Sequence, residues 1–157
     1  ELSKDTSAGV DVALHAAKLL QNFDLMIYLQ PTSPMRSYKD IDSALKFFEI
    51  SNIDSLVTVK AVSEHPDLMV SVDKKGNGKW LLRKKFEKRN RQQFENYHML
   101  DGSMYIVNIK KFLKEKSFYC GESKFFVMET EKSIDIDNEL DWMIGEMLFK
   151  NIVKKAF

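Results

Sequence analysis

The 157-residue sequence is poor in the three residue types that most constrain a backbone: one cysteine, three prolines and six glycines. The lone Cys120 leaves no internal disulfide and no second thiol for a metal site, so a reducing, cytoplasmic setting is expected. No His-rich neighbourhood accompanies it, which favours an ordinary half-buried cysteine over a nucleophile. The glycines do not form a phosphate loop: Gly76-Asn77-Gly78 lacks the Lys-Ser/Thr and helix that should follow. No apolar run approaches the roughly 20 residues of a membrane span, and no basic-apolar-small leader pattern appears. A dominant charge is also missing. The formal net charge is +1, so no global field points to nucleic acid or an anionic membrane.

What is present suits one soluble domain with a sizeable core, at 44% hydrophobic and 30% charged residues. Val10, Ala13, Leu14, Ala17 and Leu20 recur at helical spacing, behind N-cap candidates Ser3, Asp5, Thr6 and Ser7, and predict a helix over about 6–21. Leu25 to Leu29 form an apolar run too continuous for a half-exposed strand, which suits a strand buried on both faces. Pro31 and Pro34 end it. Ile41, Ala44, Leu45 and Phe48 then mark a helix to about residue 50, and Ser55 to Val59 repeat the strand pattern. Strand, helix and strand with short links predict an α/β fold with a mostly parallel sheet. The chain opens on Glu1 and almost at once on a helix, where such a domain would have a first strand and phosphate-binding loop, so an N-terminally truncated domain is expected.

Near residue 65 the pattern changes. Leu68 to Val72 and Trp80 to Leu82 flank a Gly/Asn turn and predict a hairpin. A basic run follows at 83–91. Strands are expected at Ser103 to Val107 and Lys124 to Met128, with a short helix over 108–116 between them. A last helix carries Leu140, Met143, Ile144, Met147, Leu148 and Ile152 on one face. The stretch of about 65–128 therefore reads as a β-rich arm on a single α/β body.

Three constellations could carry chemistry. Gln30, Thr32, Ser33 and Arg36 sit where a buried strand ends, the place where open α/β sheets bind ligands. Amide and hydroxyls can bond a polar ligand, and arginine can grip a carboxylate or phosphate. A merely capped turn explains the same residues equally well. Asp135 and Asp137, at i and i+2 in an extended segment, point the same way and suit Mg²⁺. Alternatively Asp137 caps the last helix and Asp135 is solvated. The basic run, with Trp80 and Phe86, could stack and neutralise RNA. Against a near-neutral chain, a solvated loop is favoured.

In combination these residues resemble the acylneuraminate cytidylyltransferases, the CMP-nonulosonic acid synthetases. Matching stretches run through nearly the whole chain: Glu1 to Thr6, Leu29 to Arg36, His65-Pro66, Arg91-Gln92-Gln93, Asp101 to Ile106 and Ser133 to Asp137. The resemblance implies a single Rossmann-like nucleotidyltransferase domain over 1–157, with flanking helices and a β-rich dimerisation arm. It implies the reaction CTP plus a nine-carbon sugar acid to CMP-sugar plus pyrophosphate, with Mg²⁺ as cofactor. Asp135 and Asp137 would hold the metal and, with Arg91, form the catalytic set. Gln30, Thr32, Ser33, Arg36, Gln92, Asp101, Gly102 and Tyr105 would line the sugar site. Phe118 and Tyr119 would reach into the partner subunit of a homodimer. Asp5, Thr6 and Ser7 would lie near the nucleotide. No nucleic acid or membrane partner is implied.

Three departures from the family pattern matter. The opening strand and its Arg-Gly-Gly-Ser-Lys loop are absent, so this polypeptide alone is expected to turn over little, if at all. Asp101-Gly102 stands where Asn-Gly is usual, and Leu68 stands where a lysine often follows His-Pro. The last two changes leave the sugar open among sialic, legionaminic, pseudaminic and other nonulosonic acids. A non-catalytic dimeric scaffold that kept the fold is the alternative.

Overall fold

The computed structural model describes residues 8–20, 22–82 and 96–156. The chain divides into two compact units, Glu1–Lys60 with Leu100–Phe157, and Ala61–Met99.

The larger unit contains α1 (Gly9–Leu19), β1 (Leu25–Leu29), α2 (Tyr38–Ser51) and β2 (Ser55–Ala61). After the smaller unit come β5 (His98–Asn108), α3 (Ile109–Glu115), β6 (Ser123–Met128) and α4 (Glu139–Ala156). The sheet order is β1-β5-β2-β6. β6 runs parallel to β2, and β5 runs antiparallel to β1. Asn108 N donates to Asp54 O, and Met104 N to Thr58 Oγ1, so β5 also opposes β2. β1, β2 and β6 therefore share one direction, as strand-helix-strand units require, and β5 is the reversed strand among them.

Side-chain alternation explains the layers. On β1, Leu25, Ile27 and Leu29 join Ala44, Ile53, Leu56, Met104 and Ile106 beneath α2. The intervening Met26 and Tyr28 join Ala13, Ala17, Val107 and Phe112 beneath α1 and α3. A period of two thus feeds two cores from one strand. β1 packs on both faces as its composition predicts, yet all five residues are only half-buried. Among the described residues it has a single sheet neighbour, β5, which leaves the strand less enclosed. Phe112 is fully buried, and truncating such a side chain costs about 3–5 kcal/mol.

Local signals set the helix ends. At the start of α2 the Asp40 carboxylate accepts from Ser37 N at 2.8 Å and Ser37 Oγ at 2.6 Å. Asn52 ends α2 in the left-handed region, φ 48°. α1 begins after Ala8, which offers no capping side chain. The N-cap candidates Ser3, Asp5, Thr6 and Ser7 lie outside the described residues.

The smaller unit holds a one-turn 3₁₀ helix at Pro66–Leu68 and the antiparallel pair β3 (Val70–Val72) and β4 (Gly78–Trp80). The strand expected from Leu68 starts at Val70, because the His65 ring nitrogen accepts from Asp67 N and holds the preceding residues in a turn. Asp73 closes the hairpin by accepting from Lys75 N and Asn77 N. Gly76 takes φ +84° there. Val70, Val72 and Trp80 are all exposed. Among the described residues, no helix is long and apolar enough to cross a membrane.

Candidate functional site

The site grows from the carboxyl end of β1. Gln30 O accepts from Ser33 N at 3.3 Å and from an Arg36 guanidinium nitrogen at 2.8 Å. The same Arg36 nitrogen donates to Ser33 O at 2.5 Å. Arg36 thereby braces the turn from within, and burial lowers its pKa against the opposing charge of Asp101. Ser33 is fully buried with its hydroxyl unpartnered, while Thr32 is exposed.

Thr32 O accepts from Ile136 N at 2.8 Å, which brings the second constellation to the first. The segment leading to Asp135 is held at several points. Lys60 Nζ donates to Ser133 O at 2.8 Å, and Ser133 Oγ to Glu129 O at 3.0 Å. Lys132 Nζ donates to Asp40 Oδ1 at 2.9 Å. Burial opposes ionisation of Asp40, but bonds from Ser37 and Lys132 outweigh it and lower its pKa.

Gly102 is the meeting point. It takes φ +73°, and a β-carbon there would lie 2.5 Å from Gln30 Oε1 and 3.6 Å from Asp135 Oδ2. The positive φ favours glycine, and a side chain there would push the Gln30 amide aside. Asp135 Oδ1 is buried and has no hydrogen-bond partner. A buried acceptor without a donor is costly, and a cation or a ligand N–H or O–H would satisfy it. Asp137 is exposed. The alternative in which Asp137 caps the last helix is overturned. Asn138 Oδ1 accepts from Asp141 N at 3.1 Å, and Asp141 Oδ2 accepts from Asp137 N and Asn138 N, so the cap falls one residue later. No solvated Asp135 is found either, since one of its oxygens is enclosed. Among the described residues, no three His, Cys, Asp or Glu side chains gather into a metal-binding group.

Other sequence-derived residues are placed differently. Asp101 is 3% exposed and faces the sheet interior. Its Oδ1 accepts from Thr58 Oγ1 at 2.5 Å and Ser103 N at 3.0 Å, and its Oδ2 from Ser103 Oγ at 3.0 Å. Phe118 packs into this chain's own core, 4.4 Å from the Tyr105 ring and 5.1 Å from Phe112, measured between centroids. Tyr119 beside it is 46% exposed, so of the two it has the more accessible ring. Tyr105 is half-buried, and burial together with Tyr119 and Asp101 raises its pKa, which keeps the hydroxyl protonated. Cys120 is fully buried, and that burial pushes its thiol up to about 11, a poor nucleophile. Arg91, Gln92, Asp5, Thr6 and Ser7 lie outside the described residues.

No family model matches the chain. It is 31% identical to a CMP-N,N'-diacetyllegionaminic acid synthase of Legionella pneumophila, over 96% of this chain and 66% of that protein. The chain belongs to the acylneuraminate cytidylyltransferase family. It is also 26% identical to an N-acylneuraminate cytidylyltransferase of Streptococcus agalactiae, over 99% of this chain but only 38% of that one. The chain thus spans between about a third and two thirds of the length of these two relatives. Its fold is similar to that of a 4-diphosphocytidyl-2C-methyl-D-erythritol synthase from Anaerococcus prevotii, with a TM-score of 0.64 at 10% identity, covering 92% of this chain and 68% of that one.

For this member of the cytidylyltransferase family, sequence reasoning missed Thr58, Ser103, Lys60 and Lys132. Thr58 had one visible signal: a lone hydroxyl inside the buried run Leu56-Val57-Thr58-Val59.

Proposed function

We propose that the protein to which this chain belongs is a cytoplasmic, Mg²⁺-dependent cytidylyltransferase that activates a nonulosonic sugar acid for glycan synthesis. The observation that carries the reading is the convergence of Gln30, Gly102 and Asp135 at one strand end. The sugar acid's anomeric hydroxyl attacks the α-phosphorus of CTP; a P–O bond to the sugar forms, the bond from the α-phosphorus to the oxygen bridging to the β-phosphate breaks, pyrophosphate leaves, and the hydroxyl proton is released to solvent. Such transfer is mostly positioning and electrostatics. The Gln30 amide, able to donate and accept, orients sugar hydroxyls. Gly102, without a side chain, lets the Gln30 amide lie close against the backbone. Tyr105 contributes a protonated hydroxyl. Thr32, Ser33 and Arg36 shape the turn beneath, and Arg91 and Gln92 are assigned to the sugar acid on the family resemblance alone.

The donor set suits magnesium, which binds through one or two carboxylates plus substrate phosphates. Asp135, with its unpartnered buried oxygen, and exposed Asp137 would hold it. When bound, Mg²⁺ supplies charge stabilisation on the phosphates. Asp5, Thr6 and Ser7 are assigned to the nucleotide on the family resemblance alone. A homodimer fits the exposed apolar side chains Val70, Val72 and Trp80 of the hairpin. Tyr119 is the residue available to a partner's sugar site.

The test is pyrophosphate release by the full-length protein with CTP, Mg²⁺ and a panel of sialic, legionaminic and pseudaminic acids. Release with one of them is the expected result. Silence with all of them refutes the reading and favours a dimeric scaffold that retained the fold.

A further inference from the structure

Gly102 does not hold its unusual conformation alone. Asp101 Oδ1 accepts from Ser103 N at 3.0 Å, so the aspartate side chain bridges the glycine in an Asx turn. Ser103 Oγ donates to Asp101 Oδ2 at 3.0 Å and closes the other side. Both flanking residues are buried, at 3% and 0% exposure. The turn is fastened to the next strand by one hydroxyl. Thr58 Oγ1 donates to Asp101 Oδ1 at 2.5 Å and accepts from Met104 N at 2.9 Å. A side-chain oxygen on β2 therefore serves a backbone N–H of β5 next to the point where that strand bends at Gly102. Met104 is opposite Leu29 in the β1 ladder, one residue before Gln30. Hydrogen bonds join Thr58, Asp101 and Ser103 around Gly102, and the Gln30 amide and the Asp135 carboxylate lie near the glycine on the side where a β-carbon would point.

We propose that Thr58 is a positioning residue of the sugar-acid site: through Asp101 and Ser103 it sets the Gly102 backbone beside which the Gln30 amide and Asp135 carboxylate lie. This rests on the cytidylyltransferase reading for its consequence in turnover, but not for its geometry. It also assigns Asp101 a role behind the site. With both its oxygens occupied by Thr58 and Ser103, the carboxylate that replaces the family's usual amide is directed into the sheet and away from any substrate carboxylate.

A bonded hydroxyl this deep is not silent in folding, so three variants of the full-length protein are needed: Thr58→Val, Thr58→Ser and the milder Ser103→Ala. Thr58→Val is expected to raise the sugar-acid KM by about tenfold or more while the CTP KM stays within about twofold, with Thr58→Ser restoring both. Ser103→Ala should move the sugar-acid KM in the same direction by less. The second readout needs no activity: the Gln30 side-chain amide and Gly102 amide resonances should shift in Thr58→Val and Ser103→Ala and return in Thr58→Ser. Unmoved resonances in both hydroxyl-deletion variants overturn the proposal, as does a parallel loss for both substrates that tracks only the melting temperature. If the wild type is silent in the assay while the resonances move as stated, the functional reading fails and the positioning role stands.

Discussion

Two aspartates meet at Gly102 and are treated in opposite ways. Asp101, behind the glycine, has three donors converging on its carboxylate and is shut inside the sheet. Asp135, lying against the glycine from the other segment, is half-exposed and keeps one buried oxygen without a donor. The difference separates scaffold from site: a satisfied buried group stabilises, whereas an unsatisfied one persists where something else is meant to bind.

The comparison breaks most visibly at Asp135. Asp135→Asn is expected to lower pyrophosphate release by about a hundredfold or more, the scale of losing a group that acts on developing charge. Its melting temperature should hold, because the buried oxygen of Asp135 accepts no hydrogen bond that the amide would lose. Equal turnover would remove the metal assignment. Asp101→Ala inverts the pattern: stability in urea should drop by about 2–4 kcal/mol, as the Thr58 hydroxyl and the Ser103 donors lose their acceptor. A drop no larger than that of an exposed substitution would show that the Asx turn holds without its carboxylate.

The smallest effect lies farther out, at the pair that tethers the Asp135 segment to α2. Asp40 has its pKa lowered from 3.8, since the Ser37 and Lys132 bonds outweigh burial. A depressed carboxylate contributes stability above its unfolded pKa and loses it as pH falls through the folded value, so this part is present near neutrality and is lost below about pH 4. Lys132 has its pKa raised from 10.5, chiefly by the bond to Asp40. Its share is full below that value and is lost as pH rises beyond it. Asp40→Asn should flatten the acid limb of a urea-monitored stability profile and, because it also removes the carboxylate that raises Lys132, weaken the loss at the alkaline end. An unchanged acid limb would show that the tether contributes nothing, as many partly exposed pairs do.

Much of the fold could be read in advance because it depends on local periodicity. The alternation in Leu25 to Leu29 distributes residues to two cores, and the helical spacing of Ala13 and Ala17 buries them against Phe112 and Val107. The reversed direction of β5 could not be read, since Ser103 to Val107 has the same pattern either way and pairing is a long-range choice. The site divides in the same manner. Gln30 at a strand end and the Asp-Ile-Asp segment could be marked from their chemistry. That Arg36 would turn back onto carbonyls three and six residues before it, that Phe118 would join its own core beside Tyr28 and Phe112, and that Asn138 instead of Asp137 would cap α4 depended on side-chain conformations, a distant strand or a one-residue shift that residue type does not fix.

By itself the sequence determined the succession of strands and helices, the polar turn that ends β1 and the pair of carboxylates before the last helix, because each rests on residue type and spacing within one segment. Tertiary structure decided which aspartate is enclosed and which keeps an open oxygen. Asp101 takes two donors from Ser103 beside it, but its third donor comes with Thr58 from the neighbouring strand, while the packing of the Asp135 segment against Thr32 encloses one Asp135 oxygen without bringing it a donor.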